Sequence, residues 1–239
     1  MAFDKNSNGY TFGFAIVMVV IVGSLLAVAA MGLKPFQKKN VEMEKKQNIL
    51  SSINVNLSRE EANIQFDDFV KQQVVIDVKG EVIEGKSAFD VDVNKEYKEW
   101  KSGARKAEDM SYPLYVCEKD GETIVVVPMV GTGLWGPVWG FVSLKEDLNT
   151  IYGANFDHKT ETPGLGAEIK EASFGAQFAG DKVFEDGKVV FKVLKGGGGK
   201  EDPSGVDGIT GGTITSVGVQ EMLIRTFEIY SPYFQNNKI

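Results

Sequence analysis

The chain has 239 residues, 43% hydrophobic and 25% charged, a balance that belongs to a folded protein and not to a disordered one. Its net charge of −7, with no basic stripe, excludes nucleic acid as a partner. Cys117 is the only cysteine and His158 the only histidine. That excludes an intrachain disulfide and a cysteine-based metal site, and it leaves one candidate histidine base.

Residues 1–11 read as a short N-terminal tail. Phe12 to Leu33 then runs for 22 residues without a charge. At about 1.5 Å per residue, a helix of this length spans roughly 33 Å, enough to cross a hydrocarbon core. Pro35 is expected to stop it. A cleaved signal peptide and a buried helix are the alternatives. The first has an apolar region of only about 7–15 residues, although Ala27–Ala30 has the look of a cleavage site. The second is seldom so uniformly apolar. The expectation is a retained transmembrane helix over 12–33 in a lipid bilayer, with no carboxylate cluster in it to form an ion path. Lys34, Lys38, Lys39, Lys45 and Lys46 follow the span, against Lys5 before it. Taken alone, that bias keeps the C-terminal body in the cytoplasm.

Residues 34–56 read as a juxtamembrane helix and linker, solvated and of alternating charge over 36–50. The remaining residues, 57–239, are enough for one domain with its own core. Ser58 to Glu61 form a capping box that opens a helix to about Lys71, with Ala62, Ile64, Phe66 and Phe69 on or near its buried side. Val74–Val78 suits a strand, and residues 94–108 a polar helix. Tyr115–Cys117 and Thr123–Val127 read as a hairpin around Lys119-Asp120-Gly121. Residues 131–140 read as a glycine- and tryptophan-rich loop, followed by a strand over 141–144 and another over 149–155. A short helix over 168–179, a strand over 189–194 and a final helix over about 216–230 complete the pattern. Strands cluster instead of alternating with helices, so the fold class is α+β: one N-terminal transmembrane helix, then a single domain with a mainly antiparallel sheet and flanking helices.

Two apparent nucleotide loops fail on context. Gly131-x-Gly133-x-x-Gly136 is followed by Pro137 and a short β-run, where a dinucleotide fingerprint needs a helix. Gly196–Gly199 with Lys200 is followed by Glu201, which repels phosphate. Trp135 and Trp139 suit either a wall against a planar ring or plain core packing. His158 to Glu168 is a loop around Pro163, Gly164 and Gly166. It reads either as a helix-capping loop or as a set of backbone N–H groups brought against a flat ligand, with more donors at a helix starting near Glu168.

Asp207-Gly208-Ile209-Thr210-Gly211-Gly212-Thr213-Ile214-Thr215 is the most informative stretch. Glycine and threonine offer N–H and hydroxyl donors to a phosphate, and a helix starting near Ser216 adds its positive end. By physics alone it is a capped helix start or an anion site. It resembles the Asp-x-x-(Ser/Thr)-Gly-Ala-Thr motif of proteins that carry flavin mononucleotide (FMN) on the last threonine, with Gly212 standing where alanine is usual.

Together with Asn8–Phe12 ahead of the apolar span and the Glu-Thr-Pro-Gly-Leu-Gly core at 161–166, this motif resembles the C subunit of the sodium-translocating NADH:quinone reductases, a family with a covalent FMN-binding domain. The resemblance covers nearly the whole chain. It implies an electron-transfer subunit, not catalytic alone and holding no metal, in which FMN is joined through its phosphate to Thr213 by a flavin transferase. Asp207, Thr210, Gly211 and Gly212 would shape the attachment turn. Thr162, Gly164 and Leu165 would lie against the flavin ring, with Trp135 as a further wall. Partners would be other membrane subunits of the complex, which also hold the NADH and quinone sites. The resemblance places the main domain on the periplasmic side of the bacterial inner membrane, against the lysine bias, and that side is the expectation adopted. The G subunit of an Rnf-type ferredoxin:NAD oxidoreductase shares the motif and anchor and is the first alternative; a membrane-anchored binding domain without redox chemistry is the second.

Overall fold

The computed structural model describes residues 7–202 and 204–237. Lys5 and the rest of the first six residues, expected as part of the N-terminal tail, lie outside the described residues. The chain divides into two compact units, Met1–Glu44 and Lys45–Ile239. Helix α1 (Asn8–Ser52) supplies most of the first unit and opens the second. Its N-terminal part is long and apolar enough to cross a membrane, and none of that apolar window is buried.

Pro35 lies inside α1 and does not end it. The ring removes one N–H donor, but one missing bond in a long helix kinks or weakens it without forcing a stop. The residues expected as a separate helix over 36–50 thus belong to α1. Nor is it solvated to its end, because Ile49 and Leu50 are fully buried. Within the second unit, the Lys45 ammonium donates to the carbonyls of Ala88, Phe89 and Val91 at 3.2 to 3.3 Å.

The capping box forms as the sequence predicts. The Glu61 N–H donates to the Ser58 hydroxyl, the Glu61 carboxylate accepts from the Ser58 N–H, and helix α2 (Arg59–Phe69) follows. Ala62 and Phe66 turn inward, four residues apart. Ile64, expected near that side, is 78% exposed, since two residues past Ala62 a helix has turned to its opposite face. The chain passes at once into β1 (Val70–Ile76) and later into helix α3 (Val93–Lys101), capped by Asp92.

Strands β2 (Tyr112–Lys119), β3 (Glu122–Thr132), β4 (Pro137–Leu144) and β5 (Ile151–His158) join β1 in one antiparallel meander, ordered as in the sequence. Asp120 and Gly121 both take positive φ, the requirement of the two-residue hairpin between β2 and β3. The expected loop at 131–140 is mostly strand: Gly131 pairs with Val138 and Met129 with Gly140. These glycines mark close packing. A Cβ on Gly131 would come within 2.8 Å of the Met222 side chain, and one on Gly140 within 2.5 Å of Phe156.

Past β5 the chain is irregular. A 3-10 turn (Gly166–Lys170) and the one-turn helix α4 (Ala172–Gly175) replace the single helix expected over 168–179. The strand expected over 189–194 is split between two small pairs: the hairpin β6 (Phe184–Glu185) and β7 (Lys188–Val189), and the parallel pair β8 (Lys192–Leu194) and β9 (Gly205–Asp207). Helix α5 (Thr213–Asn236) ends the fold, starting three residues earlier than predicted and continuing through Pro232.

Alternation along the strands sends side chains to two cores. Val74, Leu114, Val125, Val127 and Val142 pack under α5 against Val219, Leu223 and Phe227. Val75, Tyr115, Ile124 and Val126 pack on the other face against Ile49, Leu50, Ala62 and Phe66. Covered on both sides, β3 is buried continuously from Ile124 to Gly131, so its sequence reads as an apolar run.

Candidate functional site

Three segments converge beside the start of α5: the β3–β4 turn (133–136), the loop leaving β5 (159–165) and the turn at 208–212. One side chain the sequence reading did not single out joins them. Glu161 is only 5% exposed. One of its carboxylate oxygens, Oε1, accepts the Trp135 N–H at 2.8 Å, and the other, Oε2, accepts the Thr215 hydroxyl at 2.6 Å. The pocket is walled by backbone. A Cβ on Gly133 would lie 2.6 Å from Oε1, and one on Gly166 would lie 2.5 Å from Oε2.

Helix α5 begins at the candidate threonine itself. Gly212 is its N-cap and supplies no side-chain cap. The first intrahelical bond runs from the Ser216 N–H to the Gly212 carbonyl at 2.9 Å. The N–H groups of Thr213, Ile214 and Thr215 therefore have no helical acceptor, and the positive end of the helix dipole is centred on them. Thr213 is exposed, and its hydroxyl makes no hydrogen bond among the described residues. Thr215, two residues on, is 2% exposed and already committed to Glu161.

The turn before the helix is held from within. The Ile209 N–H donates to the Ser216 hydroxyl and the Gly212 N–H to the Ile209 carbonyl, both at 2.9 Å. Gly211 has φ +75°, which favours glycine, and a Cβ there would also strike the Leu165 side chain at 2.6 Å. Leu165 thus lies directly on this turn. Gly212 has φ −102°, open to any residue. An alanine methyl there would sit 3.1 Å from the Gly166 nitrogen and the Ile209 side chain, so this departure from the motif is a matter of room.

Five exposed apolar side chains lie on these segments and on the start of α5: Leu134 and Trp135 in the β3–β4 turn, Leu165 in the loop leaving β5, and Ile214 and Val217 on the helix. Trp135 is 65% exposed and Leu165 41%. An unpaired hydroxyl, three free N–H donors and an apolar ledge fit a phosphorylated planar ligand: the donors suit the anion and the ledge suits the ring.

The other predicted residues take varied positions. Asp207 braces the turn from outside it, its carboxylate accepting the Gly199 N–H at 2.7 Å and its own N–H donating to Gln177 at 2.9 Å. Thr210 and Thr162 are exposed. Gly164 takes φ +75° and donates its N–H to Glu168 at 2.8 Å. The N–H groups of Leu165 and Ala167 both donate to the Thr162 carbonyl at 3.1 Å, and that of Glu168 to Leu165. Of the two readings of this loop, the tight 3-10 geometry favours the helix-capping one, because the N–H groups of Gly164, Leu165, Ala167 and Glu168 already have acceptors. Trp139 is half-buried along a groove of about 790 Å³ with Tyr97, Lys98, Lys101 and Lys159, apart from the ledge. His158 Nδ1 accepts the Glu161 N–H at 3.2 Å and its Nε2 is buried without a partner among the described residues, so the one histidine is no exposed base. A carboxylate directly ahead of a Thr-Pro-Gly-Leu-Gly run was the available signal for Glu161; Thr215 was readable only through its partner.

Comparison with known proteins bears on the same region. The family model described as an FMN-binding domain matches residues 133–228, which contain all three segments. The C subunit of the Na(+)-translocating NADH-quinone reductase from Vibrio vulnificus is 30% identical over 228 residues, covering 90% of this chain and 88% of the relative. That of Haemophilus ducreyi is 31% identical over 229 residues, covering 91% and 88%. The crystal structure of the corresponding C subunit from Parabacteroides distasonis is 40% identical, with a TM-score of 0.74 over 86% of this chain and 98% of that one. With near full-length coverage and the same domain around Thr213, the chain belongs to the family of C subunits of the Na(+)-translocating NADH-quinone reductases.

Proposed function

We propose that the chain is a membrane-anchored flavoprotein subunit that carries FMN as a phosphoester on Thr213 and passes electrons between redox centres of neighbouring subunits in a Na+-translocating NADH-quinone reductase. The observation that carries the reading is the state of one hydroxyl. Thr213 is exposed, makes no hydrogen bond among the described residues and stands at the first residue of α5. An ester there places its phosphate where the unbonded N–H groups of α5 point, so the helix itself holds the anion.

The remaining parts follow from the same arrangement. FMN supplies reversible uptake and release of electrons when bound. Trp135, Leu165 and Ile214 offer an apolar surface for the ring. Gly211 and the Ser216 hydroxyl fix the turn, and a tethered cofactor keeps its transfer distance constant. A flavin transferase acting with FAD would form the bond from Thr213 Oγ to the FMN phosphorus and break the pyrophosphate bond; AMP leaves, and the hydroxyl proton goes to solvent. The apolar stretch at 12–33 would be a single membrane anchor, 34–56 its connection, and 57–239 the flavin domain, on the periplasmic side.

The test is Thr213→Ala in protein made together with the transferase. Flavin fluorescence that resists denaturing electrophoresis in the wild type is expected to vanish in the variant; its persistence would sink the assignment.

A further inference from the structure

We propose that Glu161 reserves Thr213 for the flavin and fixes the ledge beside it, a positioning role that rests on the reading that Thr213 carries FMN. The motif offers three hydroxyls of equal chemistry, on Thr210, Thr213 and Thr215. Thr215 lies in the same helical turn as Thr213, but its proton is donated at 2.6 Å to the buried Glu161 carboxylate. A hydrogen bond accepted by a carboxylate is about twice as strong as one between neutral groups. Thr215 is thereby withdrawn, and Thr213 is left as the open hydroxyl at the positive end of α5.

The second oxygen of the same carboxylate holds the backbone of Trp135 at 2.8 Å. One side chain therefore sets the spacing between the exposed indole and the attachment turn. The packing has no slack, since Gly133 and Gly166 leave no room for a Cβ against either oxygen. Glu161 forms no ion pair among the described residues, so its two donors and the nearby end of α5 are what offset its burial. An apolar residue would fill the space without that cost, but it could not hold a hydroxyl and an N–H at fixed points. Glu161 touches neither the reacting oxygen nor the ring; it acts through Thr215 and Trp135.

The experiment uses the full chain produced with the flavin transferase. Two measurements are taken: the rate of covalent flavin attachment, and the visible circular dichroism of the bound flavin, which reports a fixed ring environment. Glu161→Ala and Thr215→Val are each expected to slow attachment about tenfold, the factor that goes with losing a hydrogen bond to a charged group, and to abolish most of the flavin dichroism. Thr215→Ser is expected to restore both, because it returns a hydroxyl donor to the Glu161 carboxylate; Glu161→Gln is expected to restore the dichroism, because Trp135 keeps its carbonyl acceptor, but not full attachment, because Thr215 then accepts from the amide and its own proton is no longer held. If Glu161→Ala does not fold, Thr215→Val alone carries the test. Wild-type attachment and dichroism in Thr215→Val would overturn the proposal. Thr213→Ala, run in parallel, separates the two claims: flavin retained there refutes the attachment site, whereas flavin lost there with an unperturbed Thr215→Val refutes only the role of Glu161.

Discussion

Gly133 and Gly136 at the β3–β4 turn and Gly196, Gly197 and Gly198 after β8 look alike as letters, yet they do different work. The first pair is limited by space. A Cβ on Gly133 would meet the Glu161 carboxylate at 2.6 Å, and one on Gly136 the Thr160 hydroxyl at 2.5 Å. The second set is limited by conformation. Its φ values are +85°, +91° and +105°, and among the described residues nothing lies within 4 Å of an added Cβ. Carboxylates follow the same division. Glu161, in the crowded region, has a donor on each oxygen. Asp181, which feels the charge of Asp202 at the end of the open loop, has a buried oxygen with no partner among the described residues. Crowding around a carboxylate with a donor on each oxygen marks the candidate site, while open loops and a carboxylate oxygen without a partner among the described residues mark its surroundings.

The sharpest way to break this contrast is Gly133→Ala. Overpacking against a buried carboxylate is expected to cost about 2–3 kcal/mol and to displace the Trp135 backbone. Thermal unfolding of the full chain in detergent measures it, and an unchanged midpoint would mean that the turn is not crowded. Gly197→Ala is expected to cost about 1 kcal/mol, the strain of an L-residue at positive φ, and to leave flavin attachment untouched. A larger loss, or lost flavin, would show that the open loop also shapes the site.

The smallest expected effect concerns Asp181, whose carboxyl is pushed up to about 6 by burial and by the neighbouring charge of Asp202. With the folded value above the unfolded one, the unfolded state releases its proton first. Stability is therefore fullest below about pH 4 and declines as pH rises through 6. Asp181→Asn should be the more stable protein at pH 7, by no more than about 1 kcal/mol given the screening of a partly exposed group. The advantage should fade toward pH 4. A variant equally destabilised at both pH values would contradict that sign.

What the sequence made legible was local. The capping box at Ser58 and Glu61, the Asp120-Gly121 turn and the apolar run after Phe12 each depend on residues a few positions apart, and each formed. The motif from Asp207 to Thr213 and the loop from His158 to Glu168 were also visible, and the structure brings them together through Leu165 on Gly211. What stayed hidden depends on distant partners. Glycines at 131 and 140 read as loop because Met222 and Phe156, which demand them, lie far along the chain. Glu161 read as part of a loop because its two donors come from residues 26 positions before it and 54 after it. Helix α5 was expected to start near Ser216, yet it starts at Thr213. That difference sets the three free N–H groups at the threonine itself instead of beyond it.

The claim at the centre of the account is the bond to Thr213 Oγ, and peptide-level mass spectrometry tests it most directly. In protein made with the flavin transferase, the peptide spanning Asp207 to Thr215 should gain the mass of one FMN less one water, with fragment ions placing it on Thr213. The gain should disappear in Thr213→Ala. An unmodified peptide in the wild type, or the same gain mapped to Thr210 or Thr215, would contradict it.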